Sequence, residues 1–269
     1  MAPIMGFVTE LEASFDFERW EECQNTVGDA ESCIDCCHER YFNGNEIDYE
    51  CDQFRKTYIM RFLPVHIHEN YLALRRIPTD VLDTIGQSET VNFLSLGGGP
   101  GSDIAAFKKH IDNGYFENMR TQSFHIVRVD REDDWNGLAT RVINLFRCRN
   151  YEVRHTKLHQ DVLVPFTNQQ NIHIVTLSYL ISEIAEESIP VLARNIATVL
   201  ADTAVIVIND RDEDVVRRKA ENLLQNLNID TYDERNGREW CGEFFPDDVR
   251  DRISPKLKTN SIRYTAVKR

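Results

Sequence analysis

The stretch Val91-Asn92-Phe93-Leu94-Ser95-Leu96-Gly97-Gly98-Gly99-Pro100-Gly101-Ser102-Asp103 constrains the fold more than any other part of the chain. An apolar run meets glycine at alternate positions and then an amphipathic segment, which reads as a strand, a tight turn and the start of a helix. Glycine belongs in such a turn because it alone takes positive φ without strain, and because another group can touch backbone only where no Cβ intervenes. The same alternation continues toward the C-terminus. Apolar runs at 124–129, 151–158, 172–177 and 204–208 read as strands. Segments 103–113, 135–148, 188–200 and 214–227 read as helices, with Pro190 tolerated in a first turn. Strands joined through helices pair in parallel. Two late segments, 240–245 and 261–267, are expected to close the sheet as a pair. The expected fold is α/β, a seven-stranded, mostly parallel sheet with helices on both faces over residues 91–269.

Residues 1–90 read differently. Tyr49, Tyr58, Ile59, Phe62 and Leu63 recur at helical spacing, Pro64 interrupts them, and Ile67, Tyr71 and Leu74 resume before Pro78. Two or three helices are expected as an N-terminal appendage over residues 1–90, whose aromatic stripe either packs as core or folds over the carboxyl ends of the strands as a lid. His66 and His68 stand two apart and so point to different helix faces, which argues against a shared ion. The segment holds 18 acidic against 7 basic side chains, most of the excess behind the overall charge of -13. Clustered Lys and Arg are what bare polyanions need, so direct nucleic-acid binding is not expected. No run approaches the ~18 apolar residues of a membrane span, and the first fifteen residues do not read as a signal peptide. A cytoplasmic protein is expected, a nuclear one remaining open. Five of seven cysteines, Cys23, Cys33, Cys36, Cys37 and Cys51, fall in this part. Cys33 and Cys36 have a metal-ligand spacing, with His38 or Cys51 to complete a set, but a second pair is missing and no metal is expected.

The glycine turn departs from the dinucleotide pattern G-x-G-x-x-G, since Ser102 takes the final position and Asp103 opens the helix. An acid there opposes a pyrophosphate. From residue 91 to the end, the chain resembles the class I, Rossmann-like S-adenosylmethionine-dependent methyltransferases, whose first motif is a strand followed by G-x-G-x-G. The resemblance implies S-adenosyl-L-methionine as cofactor, touching Gly97, Gly98, Gly99 and Gly101. It implies that Asp130, ending the second strand with Arg131 beside it, accepts from the ribose hydroxyls. Asp161 with Val162 stands where the family meets the adenine, and the fourth motif, Ser178-Tyr179-Leu180-Ile181-Ser182-Glu183, lies beside the methyl donor. Two departures matter. Ser95 stands where many members carry an acid for the methionine ammonium, a role Asp103 is expected to share. The fourth motif also lacks the Asn-Pro-Pro-Tyr string of base methylases.

Each residue has a plainer structural reading: a turn for the glycines, a helix cap for Asp130, a loop acid for Asp161, core packing for Trp135. Methyl transfer from a sulfonium is an in-line displacement that asks the protein mainly to align and desolvate the reactants. An amine acceptor must lose a proton, and Tyr179 and Glu183 are the candidate catalytic groups. The acidic N-terminal third favours a neutral or cationic acceptor, a small molecule or a protein. The alternative is a catalytically silent protein that binds S-adenosylmethionine and acts through partners.

Overall fold

The computed structural model describes residues 2–17, 30–42, 49–167 and 169–269. Cys23 lies outside them. Among the described residues four helices come first, where two or three were expected: α1 (Ala2–Ala13), α2 (Cys33–Phe42), α3 (Asp52–Leu74) and α4 (Thr79–Ile85). Then follow β1 (Thr90–Leu96), α5 (Ser102–Asp112), β2 (Ser123–Asp130), α6 (Asn136–Ile143), β3 (Glu152–His159), β4 (Ile172–Ser178), α7 (Ile189–Ala197), β5 (Leu200–Arg211) and α8 (Asp214–Asn226). The chain ends with β6 (Tyr232–Arg235), α9 (Asp247–Ile253) and β7 (Ser261–Lys268). The seven strands form one sheet in the order β3-β2-β1-β4-β5-β7-β6. β1 to β5 pair in parallel. β7 runs antiparallel to both β5 and β6. The fold is the expected mostly parallel α/β sheet with helices around it.

Three expectations need correction. The segment 240–245 is not a strand. Gly242–Phe244 is a short 3-10 turn, and Trp240 makes only an isolated bridge to Lys258. The apolar content that suggested a strand is explained by a separate cluster in which Cys241 and Phe245 pack on Val65 of α3. The strand that pairs with β7 is Tyr232-Asp233-Glu234-Arg235, an edge strand whose Tyr232 ring meets Tyr264 at 5.4 Å. Second, Pro64 does not interrupt α3, which runs unbroken for 23 residues. Proline removes one helical hydrogen bond, but Leu63, Val65 and Ile67 around it are fully buried, and that burial outweighs the loss. Third, the helix expected over 135–148 stops at Ile143, and Cys148 takes a left-handed φ of 48°.

Side chains alternate across the sheet. Phe93, Ile126, Ile174 and Val205 face a core shared with α1, α2, α3, α4, α5 and α6. Their neighbours Leu94, Val127, Val175 and Ile206 face a second core under α7 and α8. The helices before the sheet therefore complete one of its two helical layers. α3 is buried around most of its circumference, polar residues such as Arg61, His66, Glu69 and Asn70 included, because it is covered on both sides.

Leu63→Ala removes a fully buried side chain from this layer. It should cost about 2–5 kcal/mol in chemical denaturation. A fragment starting at Val91 should show no cooperative unfolding transition, since one face of its sheet would lie open to water.

Candidate active site at the strand ends

From β1 the chain builds outward through α5 to β2 and then to β3, and it crosses back to place β4 on the other side of β1. In open α/β sheets ligands bind in the crevice outside the carboxyl ends of the strands at such a switch point. A cavity lies there. The loops after β1, β2, β3 and β4 all contribute to it, together with Tyr49 and Tyr58 from the N-terminal third. Ten of the twelve residues singled out in the sequence line it: Gly97, Gly98, Gly99, Asp130, Arg131, Asp161, Val162, Ser178, Tyr179 and Glu183. Gly101 and Asp103 do not.

The glycines divide by what a side chain would meet. A Cβ on Gly99 would approach nothing nearer than the Gly97 carbonyl at 3.9 Å, so this position opens into the cavity. A Cβ on Gly98 would run into Arg128 at 2.5 Å and Ser95 at 2.6 Å, and one on Gly101 would press on Ile143 at 3.0 Å. Those two allow packing beneath the loop. Gly97, Gly99 and Gly101 have φ of 59°, 41° and 82°, which meets the expectation that the turn needs glycine. The loop is tied to the end of β2: the Gly98 N–H donates to the Val129 carbonyl (3.1 Å) and the Gly99 N–H to Asp130 Oδ2 (2.6 Å). Asp130 Oδ1 accepts from the Glu132 N–H (2.8 Å), so the carboxylate is fixed at the cavity wall.

Asp103 sits below the loop, 1 % exposed. Its carboxylate accepts from Ser95 Oγ (2.6 Å), from the Thr176 hydroxyl and from the Ile104 N–H (2.8 Å). Burial pushes its pKa up, and the three donors work against that rise. The expected role toward a methionine ammonium finds no support in this placement, because the carboxylate is spent on β1, β4 and the start of α5. Asp161 caps its own loop through the Leu163 N–H (2.8 Å). Trp135 is 2 % exposed and packs edge-on to Tyr58 at 5.6 Å, while it also borders the cavity.

The loop after β4 is braced from behind. Tyr179 holds a left-handed φ of 55°, uncommon for a residue with a Cβ, and its N–H donates to the Asn209 carbonyl (2.7 Å). The phenol hydroxyl donates to Glu69 Oε2 (2.9 Å) and accepts from Lys256 Nζ (2.6 Å), and Lys256 also pairs with Glu69 Oε1 at 2.8 Å. The His66 ring stacks on Tyr179 at 3.9 Å. Burial drives His66 well below its ordinary pKa, and nearby Lys256 lowers it further, so the imidazole is neutral at pH 7. Asn70 Nδ2 donates to Ser178 Oγ (2.8 Å), and buried Asp210 accepts from the Ser182 N–H (3.0 Å). Glu183 opens onto the cavity and accepts from the Tyr49 hydroxyl (3.0 Å). Desolvation by the surrounding protein raises its pKa above the ordinary value, with the Tyr49 bond opposing the rise and Asp210 adding to it. Glu69, Lys256, Asp210 and Tyr49 were not foreseen. Glu69 alone carried a signal, as the one carboxylate between Lys56 and Leu74 of a helical segment.

Among the described residues no group of three His, Cys, Asp or Glu side chains is placed to hold a metal ion. Cys33 and Cys36 are partly buried on α2, and Cys37 is buried, which pushes its thiol up to about 12.

No family model matches the chain. No curated protein matches it. Among solved structures, it is similar to the YcgJ protein of Bacillus subtilis, at 12 % identity over 75 % of this chain and 99 % of that one, with a TM-score of 0.46. It is also similar to the N-methyltransferase NodS of Bradyrhizobium japonicum in complex with S-adenosyl-L-homocysteine, at 11 % identity, 88 % and 98 % coverage and a TM-score of 0.45. A precorrin-6y C5,15-methyltransferase of Geobacter metallireducens gives 14 % identity, 70 % and 86 % coverage and 0.43. Values this low say nothing about chemistry, which has to come from the site itself.

Two comparisons test the site. Gly99→Ala should strain the turn by about 1–2 kcal/mol and leave the fold intact, whereas Gly98→Ala, forced against Arg128 and Ser95, should lower the melting temperature more. Loss of ligand binding with retained folding is expected for Gly99→Ala only. Lys256→Met leaves the fully buried Glu69 carboxylate without its cation. It should destabilise the chain by about 3–5 kcal/mol, and the double variant Lys256→Met, Glu69→Leu should recover most of that loss.

Proposed function

We propose that this chain is a class I S-adenosylmethionine-dependent methyltransferase that uses the cavity at the strand ends as its donor site. The observation that carries the reading is the charge of the wall: Asp130, Glu132, Asp161 and Glu183 line the cavity, against Arg131 as the one basic side chain there among the described residues. Such a wall suits a cofactor that is cationic at its reacting sulfur and carries no phosphate, and it opposes the pyrophosphate of a nicotinamide or flavin dinucleotide. The carboxylate of Asp130, fixed beside the open Gly99 backbone, would hold the ribose hydroxyls. Asp161 and Val162 would border the adenine, with Trp135 as a further apolar wall. When bound, the cofactor supplies an activated methyl group.

The rest falls to side chains of this protein. The Tyr179 hydroxyl is engaged by Glu69 and Lys256. It acts in this scheme as the brace that shapes the wall, and Glu183 remains as the group that accepts the proton an acceptor amine must lose. A neutral or cationic acceptor fits the same acidic wall. Tyr49 and Tyr58 bring the N-terminal third to the cavity as a cover that excludes water. No helix among the described residues is long and apolar enough to cross a membrane.

Calorimetric titration tests the donor site: S-adenosylhomocysteine should bind and NAD should not, and the opposite pattern would refute the reading. Turnover of labelled donor with amine acceptors tests Glu183. A carboxylate takes a proton only when ionised, so the rate should climb as pH rises through its elevated pKa and then level off. Glu183→Gln should lose that climb and about 10²-fold or more of the rate, while S-adenosylhomocysteine, which lacks the sulfonium charge, should still bind.

A further inference from the structure

A separate cavity lies between the end of α3 and the paired strands β6 and β7, and it shares no lining residue with the donor cavity. Three guanidinium groups, those of Arg76, Arg235 and Arg263, converge on it in a chain whose net charge is -13. Two carboxylates stand among them, and both are already engaged. Asp233 lies 3.0 Å from Arg235 Nε and 3.8 Å from Arg76 Nε, and Glu239 pairs with His68 at 3.2 Å. Arg263 is the unusual member. It is 5 % exposed, and its Nη2 donates to the Gly237 carbonyl (3.1 Å), while Nε and Nη1 have no hydrogen-bond partner among the described residues. A guanidinium cannot shed its proton to escape burial, and a buried charged donor without a partner is costly. Arg76 and Arg235, half exposed at the rim, can close over whatever Arg263 holds.

We propose that this cavity binds the oxyanion end of a small ligand, a phosphate or carboxylate group, on Arg263 with Arg76 and Arg235 at its rim. Guanidinium groups match both oxyanions in geometry and charge. The site stands on its own residues and is independent of the function proposed for the donor cavity.

The test uses the full chain with inorganic phosphate and acetate as probes and chloride at equal ionic strength as control, read by calorimetry and thermal unfolding. One of the two oxyanions should bind saturably and raise the melting temperature where chloride does not, and which one responds distinguishes a phosphate from a carboxylate ligand. The Kd should rise at least tenfold in the double variant Arg76→Ala, Arg235→Ala, whose side chains lie at the surface. Arg263→Met should abolish binding; should that variant fail to fold, the rim variant decides. Saturating S-adenosylhomocysteine should leave anion binding unchanged. Equal stabilisation by chloride would mean an adventitious ion only and overturn the proposal. Undiminished binding in the rim variant, or competition with S-adenosylhomocysteine, would overturn it too.

Discussion

A buried carboxylate at the switch point of the sheet holds the candidate site in shape. Asp103 binds Ser95 on β1, Thr176 on β4 and the backbone at the start of α5, and so joins the three elements between which the glycine loop is strung. In a site 1 % exposed, each of those donors replaces water that the carboxylate has lost, and omission of any would leave charge unpaired in a low-dielectric interior. The loop above can then carry three positive-φ glycines without collapsing, and its outward face is left for a ligand. Asp130 does the corresponding work at the end of β2, with one oxygen on the loop and the other on its own turn.

The fourth wall is held by a different device. Tyr179 in a left-handed conformation is uncommon enough to need support from its surroundings, and it receives it from Glu69 on α3, Lys256 on the segment before β7 and the stacked His66. Two of these come from the helix that precedes the sheet. The N-terminal third is thus part of how the site is built as well as of the core. The buried Lys256–Glu69 pair is weak evidence of stabilisation in itself. What it contributes is a fixed position for one phenol ring at the cavity wall.

Much of this was legible in the sequence where periodicity and backbone demands are local. The glycine loop and the first five strands follow from alternating apolar runs and from positions that favour glycine, whereas Asp130 and Asp161 were singled out by the resemblance to class I methyltransferases. The parts that were not legible depend on contacts distant in sequence. Tyr232-Asp233-Glu234-Arg235 has no apolar run to mark it, and becomes a strand because β7 offers it an edge. Trp240 to Phe245 reads as a strand from its apolar residues, but Cys241 and Phe245 are buried against Val65 of α3, and Trp240 stays more than half exposed. Pro64 reads as a break, and the covering of α3 on both sides carries the helix through it. Asp103 reads as a ligand contact from its place beside the loop, and only the positions of Ser95 and Thr176 reveal that its carboxylate is turned inward.

The most direct test is a crystal structure of the chain grown with S-adenosylhomocysteine. The account predicts the ligand in the cavity between Gly99 and Tyr58, with its ribose hydroxyls on Asp130, its adenine beside Asp161 and Val162, and its sulfur facing the Tyr179–Glu183 wall. Ligand bound elsewhere, or a well-ordered cavity that stays empty at saturating concentration, would contradict it.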